Sequence, residues 1–90
     1  HELHAARYYM KIKAYVAALN RAKYVLENYP NSSYTEEALV LSISAYDQLE
    51  MNDLKEDTIK VLKQNFPDSQ MFNQGKEAKK KDWWKFWDKD

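Results

Sequence analysis

The stretch "AYVAALNRAKYVLENYPNS", residues 14–32, decides how the rest of the chain is read. Tyr15, Ala18, Leu19, Ala22, Val25, Leu26 and Tyr29 recur at spacings of three and four, the period that puts side chains on one face of an α-helix. Pro30 has no amide hydrogen with which to continue the ladder and "NSS" follows it, so the spacing predicts a helix over 14–29 and a break after it. The same ending returns as "NFPDS" at 65–69, an offset of 37 residues from Pro30 to Pro67. At that offset Tyr9 maps onto Tyr46, Ala22 onto Ile59, Val25 onto Leu62, Asn28 onto Asn65 and Ser32 onto Ser69. A chain that repeats both its apolar positions and its stops reads as a tandem repeat of helix hairpins. Neither hairpin can bury its apolar face alone, so the two must stack, with Tyr9 and Tyr46 as matched packing residues.

The other helices follow from this frame. Ser33 with Glu36 three residues later fits a capping box, so the third helix is expected from about Tyr34 to Glu50. Its apolar residues cover more than one stripe, as an element packed on two sides requires. "MND" at 51–53 turns the chain, and Asp53 with Glu56 repeats the capping pattern for a helix over 54–65 that Phe66 and Pro67 end. The first segment, 2–13, is helical by composition and by partnership with the helix after it. The reading is all-α, with two hairpins over 1–69 and a basic, Trp-rich cap or tail over 70–90.

Composition removes several function classes. The 90 residues carry 14 Lys plus Arg and 14 Asp plus Glu, so no net basic field attracts nucleic acid. At 44% hydrophobic residues there is a core to bury, and with one Gly and two Pro there is little material for hairpin turns or phosphate-cradling loops. Cysteine is absent, which removes disulfides, thiolate metal sites and a cysteine nucleophile. The longest uncharged stretch, "ALVLSISAY" at 38–46, is too short to span a bilayer. The chain opens at His1 with no signal segment, and is read as a piece of a longer protein.

No catalytic or metal-binding constellation stands out. His1 and His4 lie one helical turn apart but lack a third ligand, and read as solvated surface residues. Glu36 and Glu37 are expected to act as partners of the helix dipole. With no nucleophile, base and oxyanion arrangement, the chain is not expected to be an enzyme, and no cofactor is expected. What remains is surface. Arg21 and Tyr24 lie three residues apart on the helix face opposite the apolar stripe, and both are residue types enriched at interaction hot spots. The plainer reading is a solvated Arg and a Tyr that packs on a neighbouring repeat.

The tail, "GKEAKKKDWWKFWDKD" from Gly75, sets a Lys-rich run ahead of Trp83, Trp84, Phe86 and Trp87. Such a cluster can cap the last repeat, lie at a membrane surface, dock into a partner or stack on single-stranded nucleic acid.

The repeat length, "YVAA" at 15–18 with its Y-x-x-A spacing, and the terminal proline resemble the tetratricopeptide repeat. The small residue three before the first-helix Tyr is then Ala6, whereas Ile43 stands at that place in the second unit and no Y-x-x-A follows "MND". In such arrays the first helices line a concave groove, which by register implies Arg7, Met10, Lys11, Ser44, Asp47 and Gln48. More specifically, "HELHAARYYMKIKAYVAALNRAKYVLENYPNS", followed by "EEAL", "AYDQLEMNDL" and "VLKQNFPDS", resembles the C-terminal repeats of the BamD (ComL) family, over residues 1 to about 69. The resemblance implies a periplasmic, non-catalytic scaffold held at the inner leaflet of the outer membrane by an N-terminal lipid outside this sequence. It would bind the periplasmic domains of a BamA-type barrel subunit, alongside other assembly-machinery lipoproteins. The family's "NR" falls on Asn20 and Arg21, where the resemblance implies a salt bridge to that partner; Tyr24 and Lys13 complete the expected partner-binding set. The tail has no counterpart in the family pattern as read here. The alternatives are a general adaptor that takes a peptide in the concave groove, and a membrane-surface module acting through the tail.

Overall fold

A computed structural model describes residues 2–29 and 33–68. Four helices follow one another: α1 (Glu2–Lys11), α2 (Tyr15–Asn28), α3 (Ser33–Gln48) and α4 (Asn52–Asn65). α3 packs on α1, α2 and α4, while the backbones of α2 and α4 stay apart, with no Cα of one within 8 Å of a Cα of the other. That arrangement is the all-α pair of stacked hairpins the repeat requires.

Position in the stack explains each helix's pattern. α3 has neighbours on three sides, so every residue from Glu37 to Ala45 is buried. Two hydroxyls survive there by donating to the carbonyl one turn back, Ser42 to Ala38 (2.8 Å) and Ser44 to Val40 (3.0 Å). α1 buries Leu3, Ala6 and Met10, again at spacings of three and four. These residues join Ala18, Ala22, Val25, Ala38, Leu41 and Ala45 in one core cluster. A second cluster, Leu39, Val40, Ile43 and Leu62, sits between α3 and α4. Ile43 there stands at the register position of the small residue Ala6 in the first unit, and both are buried. Each fully buried Leu, Val, Ile or Met contributes roughly 1.5–3 kcal/mol relative to exposure.

The repeat extends to the backbone. Lys13 donates its N–H to Met10 O (3.0 Å) and Ala14 to Tyr9 O (2.7 Å); 37 residues on, Glu50 donates to Asp47 O (3.1 Å) and Met51 to Tyr46 O (2.9 Å). Both are Schellman closures, with the last turn's carbonyls satisfied by the two residues after the cap. The similar "YP" and "FP" endings are explained in the same way. Tyr29 (φ −131°, ψ 55°) and Phe66 (φ −138°, ψ 65°) leave the helical region because each precedes a proline. Each still donates to the carbonyl four residues back, Val25 and Leu62.

One cap expectation changes. α4 starts at Asn52, two residues before the expected Leu54, with Met51 at the N-cap and no side-chain capping bond. Asp53 therefore lies inside the first turn, where its negative charge is favoured by the positive end of the helix dipole without capping it. The tight turn decides this, because Met51 is already fixed by its bond to Tyr46. α3 begins at Ser33, and the Ser33 side chain, and with it the capping box to Glu36, lies outside the described residues.

Candidate functional site

Asn20, Arg21 and Tyr24 lie on the exposed side of α2, away from buried Ala18, Ala22 and Val25. Tyr24 lies one turn from both Asn20 (i+4) and Arg21 (i+3), so it joins the three into one polar and aromatic face. Tyr24 is 43% exposed, and its carbonyl accepts from Asn28 Nδ2 (2.8 Å), which steadies the last turn beneath the face. Lys13 is exposed too, but it sits in the α1–α2 turn, separated from Tyr24 by about 14 Å of helix. The structure thus brings three of the four expected partner-binding residues together and leaves the fourth at the far end.

The expected concave set does not form a free groove. Met10 and Ser44 are withdrawn from it: both are fully buried, Met10 in the first core cluster and Ser44 held by Val40. Three others bridge helices. The Arg7 guanidinium brings Nε and Nη2 onto one carboxylate oxygen of Glu37, tying α1 to α3. Asp47 Oδ1 meets Lys55 Nζ at 3.1 Å, tying α3 to α4. Gln48 Oε1 lies 3.5 Å from the Tyr15 hydroxyl. Lys11 is exposed. Glu37 was expected to serve the helix dipole as Glu36 does, but it is buried, with the Arg7 guanidinium as its partner. Sequence alone could not separate these two adjacent glutamates.

A feature the sequence reading missed lies on the other side of the stack. Because α2 and α4 flank α3 with their backbones held apart, they leave a groove of about 600 Å³. Its walls include Val16 and Leu19 of α2 and Leu54 and Val61 of α4, over a floor that includes Leu39 and Tyr46. The signal was present as apolar residues off the main stripes, 54 and 61 in α4 and 16 in α2. Only the gap between the helices makes them one surface.

Among the described residues no cluster of three or more His, Asp or Glu could hold a metal, and no helix is long and apolar enough to cross a membrane. His4 is exposed, and His1 lies outside the described residues, as do Trp83, Trp84, Phe86 and Trp87.

Comparison with known proteins follows the hairpins closely. The family model for YfiO, an outer membrane lipoprotein, matches residues 1–62. Outer membrane protein assembly factor BamD of Neisseria gonorrhoeae is 42% identical over 86 residues, covering 96% of this chain and 32% of that protein. The protein of the same name from Pasteurella multocida is 40% identical over 65 residues, 72% of this chain and 25% of its own length. That from Xylella fastidiosa 9a5c is 35% identical over 68 residues, 76% of this chain and 23% of its own. The chain spans about a third of the length of the Neisseria relatives it matches. A match over 86 of 90 residues runs well past residue 69, so the expectation that the tail lacks a counterpart in the family is corrected.

Proposed function

The chain belongs to the YfiO family of outer membrane lipoproteins, and on that premise we propose that it is a non-catalytic scaffold segment of a β-barrel assembly machinery, acting at the periplasmic side of the outer membrane. The observation that carries this reading is its likeness to proteins named as outer membrane protein assembly factors. Its partner is the set of periplasmic domains of a BamA-type barrel subunit, and its contact face is the exposed side of α2. Arg21 supplies the charge. A guanidinium engages a carboxylate through two parallel hydrogen bonds, a geometry lysine cannot reproduce. Tyr24 supplies rigid apolar area beside it, and Asn20 a donor and an acceptor at the edge. An N-terminal lipid outside this sequence would hold the full protein at the membrane.

Calorimetric titration of the chain with the membrane-proximal periplasmic domains of such a subunit tests the reading. Arg21→Ala should weaken binding by about 2 kcal/mol, roughly thirtyfold, at unchanged helicity. Arg21→Lys should recover only part of the loss. Unchanged affinity in both variants would remove Arg21 from the contact.

A further inference from the structure

The groove between α2 and α4 meets the contact just proposed only at Asn20, and beyond it gathers exposed apolar surface. Val16 (62% exposed), Met51 (41%), Leu54 (42%) and Val61 (43%) all line it. The groove runs between two helices along the surface of a third, a shape suited to an elongated amphipathic segment anchored at i, i+3 and i+4.

We infer that the groove is the docking site of this chain's own C-terminal segment, with Trp83, Trp84, Phe86 and Trp87 as anchors. Two observations carry the assignment. The first is spacing: in helical register these four aromatics fall on one side, and Lys85, Asp88 and Lys89 on the other. The second is reach. Fourteen residues, 69–82, connect Asp68 at the end of α4 to Trp83, and they can extend over about 46 Å. α4 itself is about 21 Å long, so the tether returns the aromatics to any point of the groove. Tethering also gives the segment a local concentration in the millimolar range, which a separate partner has to exceed. Covering Val16, Leu54 and Val61 would close an apolar surface otherwise left to water.

All three tryptophans of the chain lie in this segment, so intrinsic tryptophan fluorescence reports on it alone. The 90-residue chain is compared with a peptide of residues 76–90 by emission maximum and acrylamide quenching. The expected result is blue-shifted, weakly quenched emission that does not depend on protein concentration. Leu54→Lys and Val16→Lys, both at exposed positions and checked for helicity by circular dichroism, should each move emission to that of the peptide and raise the quenching constant severalfold. Ile12→Lys, equally exposed but outside the groove, should move neither. Wild-type emission matching the free peptide would leave the groove to another partner and overturn the assignment. So would emission that neither groove variant changes. A blue shift lost on dilution would assign the groove to the tail of a second copy, which also overturns docking within one chain.

Discussion

Lys13 and Glu50 hold the same left-handed backbone conformation, at φ 66° and φ 59°, at equivalent places in the two hairpins. Each is the residue whose N–H closes the end of a first helix, a position glycine usually takes because a Cβ clashes there. A non-glycine residue in this conformation costs about 1–2 kcal/mol, while glycine carries an unfolded-state entropy cost of about 0.5–1 kcal/mol. The clash is the larger effect. Glu50→Gly should therefore raise the stability of the chain by about 0.5–1 kcal/mol, seen as a higher urea midpoint at unchanged slope. A lower midpoint would mean that the Glu50 side chain contributes something the closure geometry does not capture.

The Arg7–Glu37 pair should matter more than the Asp47–Lys55 pair, although both link neighbouring helices. Glu37's side chain is 9% exposed, so removing its partner strands a carboxylate away from water. Arg7→Ala should cost about 2–3 kcal/mol. Lys55→Ala should cost less than about 1 kcal/mol, because the carboxylate it leaves behind, Asp47, is 28% exposed and regains water in place of the lost partner. Equal losses in chemical denaturation would show that burial does not separate the two pairs.

Ala22 and Ile59 are equivalent in sequence but not in packing. Ala22 is fully buried among Ala18, Ala38 and Ala45, where small side chains fill the space between neighbouring helices. Ile59 is half-buried beside the second cluster. Moving the second unit's residue into the first, Ala22→Ile, should overpack the site and cost about 1–3 kcal/mol. A neutral result in thermal unfolding would mean that the first cluster holds unfilled space.

The contrast also explains what was legible in the sequence. α2 was readable because one side of it meets α1 and α3 and the other meets water, so six of the seven expected apolar or small residues mark the boundary, while Tyr29, past the helix end, is 49% exposed. α1 was harder: its stripe of Leu3, Ala6 and Met10 includes an alanine, which carries little hydropathy signal. The 37-residue offset transferred from letters to backbone, down to the matched bonds at Tyr9 and Tyr46. Register did not say how deep a residue lies. Met10 and Ser44 belong to the helices expected to line a concave groove, but their rotation about those helices points them into the core. Glu37, rather than Glu36, meets Arg7 for the same reason. The groove of Val16, Leu54 and Val61 is a relation between two helices that are not neighbours in sequence, so no single segment announces it.

Met10→Ala and Arg21→Ala should separate stability from binding, and so separate the two surfaces first considered for partners. Met10 is fully buried, and its truncation should destabilise the chain by about 2–5 kcal/mol through lost transfer energy and a residual cavity. Under conditions where that variant remains folded, its affinity for a BamA-type subunit should match the wild type, since no part of the side chain reaches the surface. Arg21 lies on the exposed side of α2, so its truncation should leave the denaturation midpoint within about 0.5 kcal/mol of wild type while weakening binding. Paired urea melts and calorimetric titrations read both quantities on the same samples. A specific loss of affinity in folded Met10→Ala would return the contact to the α1 and α3 side of the stack, whereas a stability loss in Arg21→Ala would make that arginine a packing residue.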